Sequence, residues 1–403
     1  QSAERAFEHI KLSEADTRDL IDSALQDAGW EADHRTLRQS QGTVPEVGRN
    51  IAISEWKTSS GPVDYALFCG ETCVGVIEAK RESKDVPGVL QQAERYARDI
   101  VLPVGSTVQG APFPGAPTDD TGAFEASFKL PFAFATNGRP HVKQMRTKSG
   151  IWFRDLRSPN NHAKDLTDWF SPEDLLSKLE QETVDGRKGL AEEPFDYANL
   201  RTYQQDAITA IERTIGDGAE TALISMATGT GKTRMAIALM YRALKRKRFR
   251  RILFLVDRNA LADQTLDSLE NAELENLLKF TETYGVAGPA DKEISKETRV
   301  HVATIQSMVK RVLLGGADRP TPGTYDLIIV DEAHRGYALD AELRDEDIEF
   351  RSTEDYLSKY RRVLDYFDAV KVGLTATPAL QTTEIFGAPV YRYSYRQAVI
   401  DGY

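Results

Sequence analysis

In the second half of the chain, short apolar runs alternate with segments of helical period. The runs occupy 222–224, 252–256, 300–303, 327–330 and 370–374. Continuous apolar strands separated by helices predict a parallel sheet covered on both faces. In such a sheet ligands bind beyond the carboxyl ends of the strands. The first half is patterned differently. Segments 63–69 and 73–80 read as an antiparallel hairpin closed by Gly70-Glu71-Thr72. A helix follows, with Pro87 in its first turn and an apolar stripe of Val89, Ala93, Tyr96, Ala97 and Ile100. Residues 132–135 are extended before an Asn137-Gly138 turn, and Ser171-Pro172 opens a capped helix.

Two stretches lack such periods. Residues 102–122 are rich in Pro, Gly, Ser and Thr and predict a long irregular loop. Residues 181–194, acidic and broken by Gly and Pro, suit a linker. The expected domains are therefore 1–185 and 200–403, joined by 186–199. No internal repeat is present.

Composition adds limits. The 403 residues are 41% apolar and 28% charged, which is the usage of a folded globular protein. No apolar run reaches the roughly 18 residues of a membrane span. The first twelve residues lack the apolar core of a secretory signal, so a cytoplasmic, non-membrane protein is expected. Cys69 and Cys73 are too few for a zinc site and are expected as buried or half-buried free thiols. The net charge of −11 opposes polyanion binding, so any DNA surface must be a local groove. Residues 1–200 hold 23 Lys+Arg against 32 Asp+Glu, and the remainder 28 against 30. The densest basic run, 245–251, is better read as a solvated helix end than as a DNA contact.

The first chemical motif sits on the predicted parallel sheet. The strand ending at Met226 runs into Ala227-Thr228-Gly229-Thr230-Gly231-Lys232-Thr233 and then a helix, 234–244. Such glycines let backbone N–H groups face a phosphate at a helix N-terminus. Lys232 is placed for the β- and γ-phosphates and Thr233 for Mg²⁺. Met226 stands where the strict pattern has its first glycine. Asp331-Glu332-Ala333-His334 follows directly on the 327–330 strand. Asp331 is suited to hold Mg²⁺ through water and Glu332 to orient the attacking water. Thr375-Ala376-Thr377-Pro378 again follows an apolar strand.

These residues carry a resemblance. Residues 200–403 resemble the first RecA-like motor domain of superfamily 2 helicases and translocases, in the DEAH branch. That resemblance implies adenine recognition by Arg201-Thr202-Tyr203-Gln204, with Gln204 as reader. It implies nucleic-acid backbone contacts near Asp257, Arg258, Thr304 and Gln306. It also implies coupling of hydrolysis to strand movement through His334, Thr375 and Thr377. The motor should continue into a second RecA-like domain, absent from this sequence, so ATP is expected to bind and to turn over poorly.

The second motif lies in the hairpin. If Cys69 faces Cys73, Asp64 faces Glu78 on the same side, about 4.5–5.5 Å apart at Cβ, and Lys80 shares that side. Facing carboxylates destabilise a hairpin unless a cation binds between them. A divalent metal on Asp64 and Glu78, with the Ala79 carbonyl able to help, resolves the conflict, and Lys80 is then placed to activate water. The pattern is similar to the PD-(D/E)xK nuclease core. Gln92 and Tyr96, one turn apart on the following helix, resemble the Q-x-x-x-Y element of the restriction subunits of type I restriction-modification enzymes. Glu14 and Arg18 are candidates to line the same pocket. With Phe134–Gly138, Trp169–Leu175 and Tyr393-Ser394-Tyr395, the resemblance covers nearly the whole chain.

The expected fold is thus α/β: an N-terminal PD-(D/E)xK nuclease-like mixed-sheet domain, then a RecA-like parallel-sheet P-loop motor domain. The resemblance implies ATP-fuelled translocation on double-stranded DNA and Mg²⁺-dependent cleavage, with methyltransferase and specificity subunits as partners. The rivals are a repair helicase whose first domain binds DNA without cutting it, and an interaction module in which both sites are relics.

Overall fold

The computed structural model describes residues 14–80, 86–114, 127–142, 147–181, 189–196, 199–275, 278–291, 294–315, 319–333 and 353–402. The chain divides into two compact units, Gln1–Leu179 and Glu180–Tyr403, each built on a seven-stranded sheet. No helix among the described residues is long and apolar enough to cross a membrane.

In the first unit the strands lie in sequence order: β1 (Glu31–Ala32), β2 (Asn50–Thr58), β3 (Gly61–Cys69), β4 (Thr72–Ala79), β5 (Phe132–Thr136), β6 (Ile151–Asp155) and β7 (Lys164–Leu166). The sheet is mixed, because β1 joins β2 and β4 joins β5 in parallel while the other pairs are antiparallel. Helix α2 (Val86–Asp99) packs Val89, Leu90, Ala93 and Ala97 with Ala66, Phe68 and Val76 on one face. Helices α1 (Glu14–Asp27) and α3 (Pro172–Glu180) pack Ile21, Leu25 and Leu175 with Tyr65, Leu67 and Ile77 on the other. Ser171 caps α3 as expected. Its Oγ accepts the Asp174 N–H at 3.1 Å while Asp174 accepts the Ser171 N–H at 2.9 Å, a reciprocal box.

The hairpin differs from its predicted register at one end. Its turn is two residues, Gly70-Glu71, so Cys69 pairs with Thr72 and Phe68 with Cys73. Gly70 takes φ +58°, which the first position of a tight hairpin turn requires and glycine adopts without steric cost. An extra residue in β4, Val74, then restores the expected offset, and Leu67 pairs with Gly75 and Tyr65 with Ile77. A Cβ on Gly75 would lie 2.9 Å from the Phe132 carbonyl, so only glycine lets β5 approach there. Both cysteines are buried free thiols.

The second unit's sheet is parallel throughout, in the order β10-β11-β9-β12-β13-β8-β14. These are β8 (Thr221–Met226), β9 (Ile252–Val256), β10 (Gly285–Ala287), β11 (Thr298–Thr304), β12 (Leu327–Val330), β13 (Val370–Thr375) and β14 (Pro389–Tyr393). Ile252, Phe254 and Val256 join one core with helices α4 (Thr202–Gly216), α5 (Lys232–Lys245) and α6 (Asn259–Glu270). Leu253 and Leu255 join the opposite core with Met308, Val363 and Phe367. Burial on both faces is why these strands read as unbroken apolar runs. The edge strands β10 and β14 are partly exposed and lack that signature.

The basic run is not a solvated helix end. Lys245 pairs with Glu193 and Glu275, Arg246 with Glu193, and Arg250 with Glu180. Arg251 donates to the carbonyls of Thr298, Ser295 and Lys296. Just before the run, fully buried Arg242 grips Glu212 through two bonds of 2.7 and 2.9 Å and donates to the carbonyls of Leu190, Glu193 and Pro194. Arg242, Lys245 and Arg246 fasten residues 190–194 to the C-terminal part of α5.

Candidate functional site

In the second unit, β8 delivers the chain into the loop 227–231, where Gly229 and Gly231 both take φ +78°. The curl ends at Lys232, the first residue of α5, with Thr233 behind it and Thr228 exposed at the loop's crest. Lys232 Nζ lies 3.2 Å from Glu332 Oε1 and 3.4 Å from the Met226 carbonyl. Asp331 and Glu332 leave the end of β12. Their turn is tied to both neighbouring strands, since the Asp331 N–H donates to the Leu255 carbonyl and the Ala333 N–H to that of Leu374. Glu332 is left-handed, with φ +49°, and its N–H donates to Asp331 Oδ1 at 2.9 Å. The acidic pair and the lysine therefore meet beyond the carboxyl ends of β8, β13 and β12, which are neighbours in the sheet.

The start of α4 braces this loop. Gln204 Nε2 donates to the carbonyls of Thr230 and Gly231 at 3.0 and 3.1 Å, while its Oε1 accepts the Arg201 N–H at 2.9 Å. A Cβ on Gly231 would come within 2.6 Å of Gln204 Nε2, so this glycine serves close approach as well as its positive φ. Tyr203 donates to the Thr230 carbonyl at 3.0 Å and stacks on Tyr393 at 4.0 Å, and the Tyr393 carbonyl accepts the Ala227 N–H. Exposed Arg201 donates to the Tyr203 hydroxyl. The sequence reading gave neither tyrosine a bracing role, because only the strand pairing of β14 with β8 brings Tyr393 to the loop.

The remaining predicted residues of this unit occupy strand ends. Buried Asp257 directly follows β9, with Arg258 Nε 3.6 Å from its carboxylate. Thr304 ends β11 and caps the short helix Ile305–Val309 by accepting the Ser307 N–H, with Gln306 half-buried beside it. Thr375, fully buried, accepts the Thr377 N–H at 3.2 Å. His334 lies outside the described residues.

The first unit gathers its own lysine and acidic pair. Asp64 on β3 accepts the Ala79 N–H through Oδ2 at 2.8 Å and Arg18 Nη2 through Oδ1 at 2.7 Å. Glu78, buried on β4, accepts Lys80 Nζ at 2.7 Å. Burial first, and then the charge of Asp64, push the Glu78 carboxyl up to about 7, with Lys80 opposing. Burial works against the Lys80 charge, but Glu78, Asp64 and Tyr96 outweigh it and hold the ammonium above its ordinary value. On α2, Gln92 Nε2 donates to the Tyr96 hydroxyl at 3.0 Å. Arg18 on α1 thus joins the constellation directly. Glu14 heads the same helix.

Two hard oxygen donors sharing one buried site, with more negative charge than they tolerate alone, fit a divalent cation such as Mg²⁺. A third acidic group, Asp19, Asp22 and His34, fits less well. Asp22 already accepts the Tyr65 hydroxyl at 2.9 Å and the His34 N–H at 2.8 Å, and its Oδ2 lies 2.6 Å from His34 Nδ1, so it ties α1 to β3.

Two family models match the chain. Residues 31–179 match the second domain of the type I restriction enzyme EcoKI endonuclease subunit, and residues 197–380 match the res subunit of type III restriction enzymes. The type I restriction enzyme EcoKI endonuclease subunit of Escherichia coli K12 is 46% identical across 98% of this chain. The chain is thus similar to the endonuclease subunits of type I restriction enzymes. A second such subunit, EcoAI of Escherichia coli, is 30% identical across 98% of the chain. The chain spans 35% and 43% of the lengths of these two relatives. Among solved structures, a fragment of a putative HsdR subunit of a type I restriction enzyme from Vibrio vulnificus is 24% identical. It covers 98% of this chain and 62% of its own, with a TM-score of 0.36.

Proposed function

We propose that this restriction-subunit chain combines ATP-driven translocation on double-stranded DNA with Mg²⁺-dependent phosphodiester cleavage, working with separate methyltransferase and specificity subunits. One observation carries the reading: each unit sets a lysine ammonium on one member of an acidic pair at a strand end. In one unit these are Lys232, Glu332 and Asp331; in the other, Lys80, Glu78 and Asp64.

In the motor-like unit the glycine loop and Lys232 bind the polyphosphate of ATP. Thr233 and Asp331 would hold its Mg²⁺, which would neutralise charge on the phosphoryl oxygens. Glu332 orients the attacking water and takes its proton. Lys232 can serve the phosphates only by leaving Glu332, and Glu332 is thereby freed for water. Thr375, the last residue of the strand between the two halves of the site, and Thr377 just beyond it pass the change to the DNA-binding loops. Asp257, Arg258, Thr304 and Gln306 end the strands that present those loops.

In the nuclease-like unit Asp64 and Glu78 would hold a divalent cation, which would supply Lewis-acid stabilisation of negative charge on the phosphate. Lys80 positions the nucleophilic water, and Gln92 keeps the Tyr96 hydroxyl oriented beside it.

Two assays test the proposal. Plasmid DNA incubated with the chain and Mg²⁺ should be nicked, and Asp64→Asn should abolish nicking. ATP with Mg²⁺ should raise the melting temperature of the wild type but not of Lys232→Ala. Nicking that persists in Asp64→Asn, or an ATP shift that persists in Lys232→Ala, removes the corresponding half of the reading.

A further inference from the structure

Strand alternation in the nuclease-like unit fails where β2 and β3 pass Glu55 and Asp64, as it does at Val74 in β4. Ile53 and Trp56 on β2, and Val63 and Ala66 on β3, all enter the same core. Residues three apart on a regular strand face opposite sides, so each strand skips one position, at Glu55 and at Asp64. Glu55 takes φ +53°, a left-handed conformation that a residue with a Cβ adopts only against steric opposition.

The irregularity has a consequence for charge. Glu55 Oε1 accepts Arg18 Nη1 at 3.3 Å and lies 3.4 Å from Arg38 Nη2. Arg18 Nη2 meanwhile donates to Asp64 Oδ1 at 2.7 Å. The Arg18 side chain is only 16% exposed. One half-buried guanidinium therefore bridges Asp64 and a carboxylate on the next strand. The other oxygen of Asp64 is fixed by the Ala79 N–H, so Oδ1 is the oxygen the pair can offer to an incoming ion.

We propose that Arg18 is a place-holder cation: it occupies the Asp64 oxygen that a divalent metal takes, and Glu55 receives it when the metal enters. The inference rests on the nuclease reading above. Two cations compete for one carboxylate oxygen, so entry of the metal requires the guanidinium to withdraw. Glu55 lowers the cost of withdrawal because it is already bonded to the same side chain. Arg18 and Glu55 are positioning residues in this scheme.

Mn²⁺ binding without nucleotide, followed by the paramagnetic resonance of the free ion, tests it. Arg18→Met should tighten Mn²⁺ about tenfold, roughly the worth of one charge-assisted hydrogen bond. Glu55→Gln should weaken it several-fold, because the displaced guanidinium loses its receiver. The double variant should match Arg18→Met alone, since Glu55 acts only through Arg18. If Arg18→Met melts early, Arg18→Lys decides: its single ammonium lacks the guanidinium fork that bridges both carboxylates, and it should also tighten Mn²⁺, though less. Weaker binding in the Arg18 variants, or additive effects in the double variant, overturns the place-holder while leaving the metal site standing. Asp64→Asn separates the two ideas. If it leaves wild-type affinity unchanged, the metal is not at this site, and the place-holder falls with the nuclease reading.

Discussion

The lysine and acidic pair of the motor-like unit follow two separate strands of a parallel sheet, β8 and β12, whereas those of the nuclease-like unit stand on one hairpin. In the parallel sheet every strand ends on the same side, so residues following strands as distant in sequence as β8 and β12 converge whatever their exact register. In the hairpin, convergence depends on register, and a slip of one residue would send Asp64 and Glu78 to opposite faces. The motor-like site is consequently robust and locally encoded. The nuclease-like site hangs on a tight turn at Gly70, a compensating bulge at Val74 and a left-handed Glu55.

The largest expected effect sharpens that contrast at the chemistry. Lys80→Ala should lower Mg²⁺-dependent DNA cleavage by on the order of a hundredfold or more, as loss of a charge stabiliser does, while the ATP-induced rise in melting temperature persists. Loss of both together would mean the two sites are not separate chemistries.

Next comes the frame of the motor-like unit. Arg242→Met leaves Glu212 buried beside α5 without its bidentate partner and releases three carbonyls. Breaking a buried pair in this way costs about 3–5 kcal/mol, and urea unfolding monitored by the signal of this unit should register it. The same substitution should leave metal binding in the nuclease-like unit intact.

How much of this was readable beforehand depends on how local each signal is. Strands β9 and β12 stand where unbroken apolar runs placed them, because burial on both faces leaves no room for polar residues. Strands β2, β10 and β14 were not read from the sequence. β10 and β14 are short and partly exposed, and the alternation of β2 is broken at Glu55. The offset of Asp64 and Glu78 was anticipated from a three-residue turn; the molecule reaches the same offset through a shorter turn and an inserted Val74. The basic run shows the opposite failure. Its charges suggested a solvated helix end, and only tertiary structure brings Glu193, Glu275 and Glu180 to it. The bond from Arg18 to Asp64 was likewise beyond local pattern, although both residues had been singled out.

A pH effect, smaller again, belongs to the acidic pair of the nuclease-like unit. The Glu78 carboxyl lies near 7 when folded, above its ordinary value of 4.5. Between these values the folded chain holds a proton that the unfolded chain has lost, so stability falls as pH rises from about 4.5 to 7. Thermal unfolding in chelator should show that slope, and Glu78→Gln should flatten it. Because a ligating carboxylate must be deprotonated, Mg²⁺ should protect more strongly above pH 7 than below it.

The smallest expected change concerns the loop brace. Tyr203→Phe removes the hydrogen bond to the Thr230 carbonyl, together with the one accepted from exposed Arg201, but keeps the stack on Tyr393. ATP affinity measured by calorimetry should weaken by about 1 kcal/mol, the net worth of one such bond. An effect several times larger would mean the hydroxyl contacts nucleotide directly.

The central claim, two separate metal-dependent phosphate sites on one chain, is tested most directly by counting bound Mn²⁺ with and without ATP. The account predicts one ion without nucleotide, lost in Glu78→Gln. A second should appear only with ATP and be lost in Thr233→Ala or Asp331→Asn. A single ion under both conditions, or loss of both ions in Glu78→Gln, would contradict it.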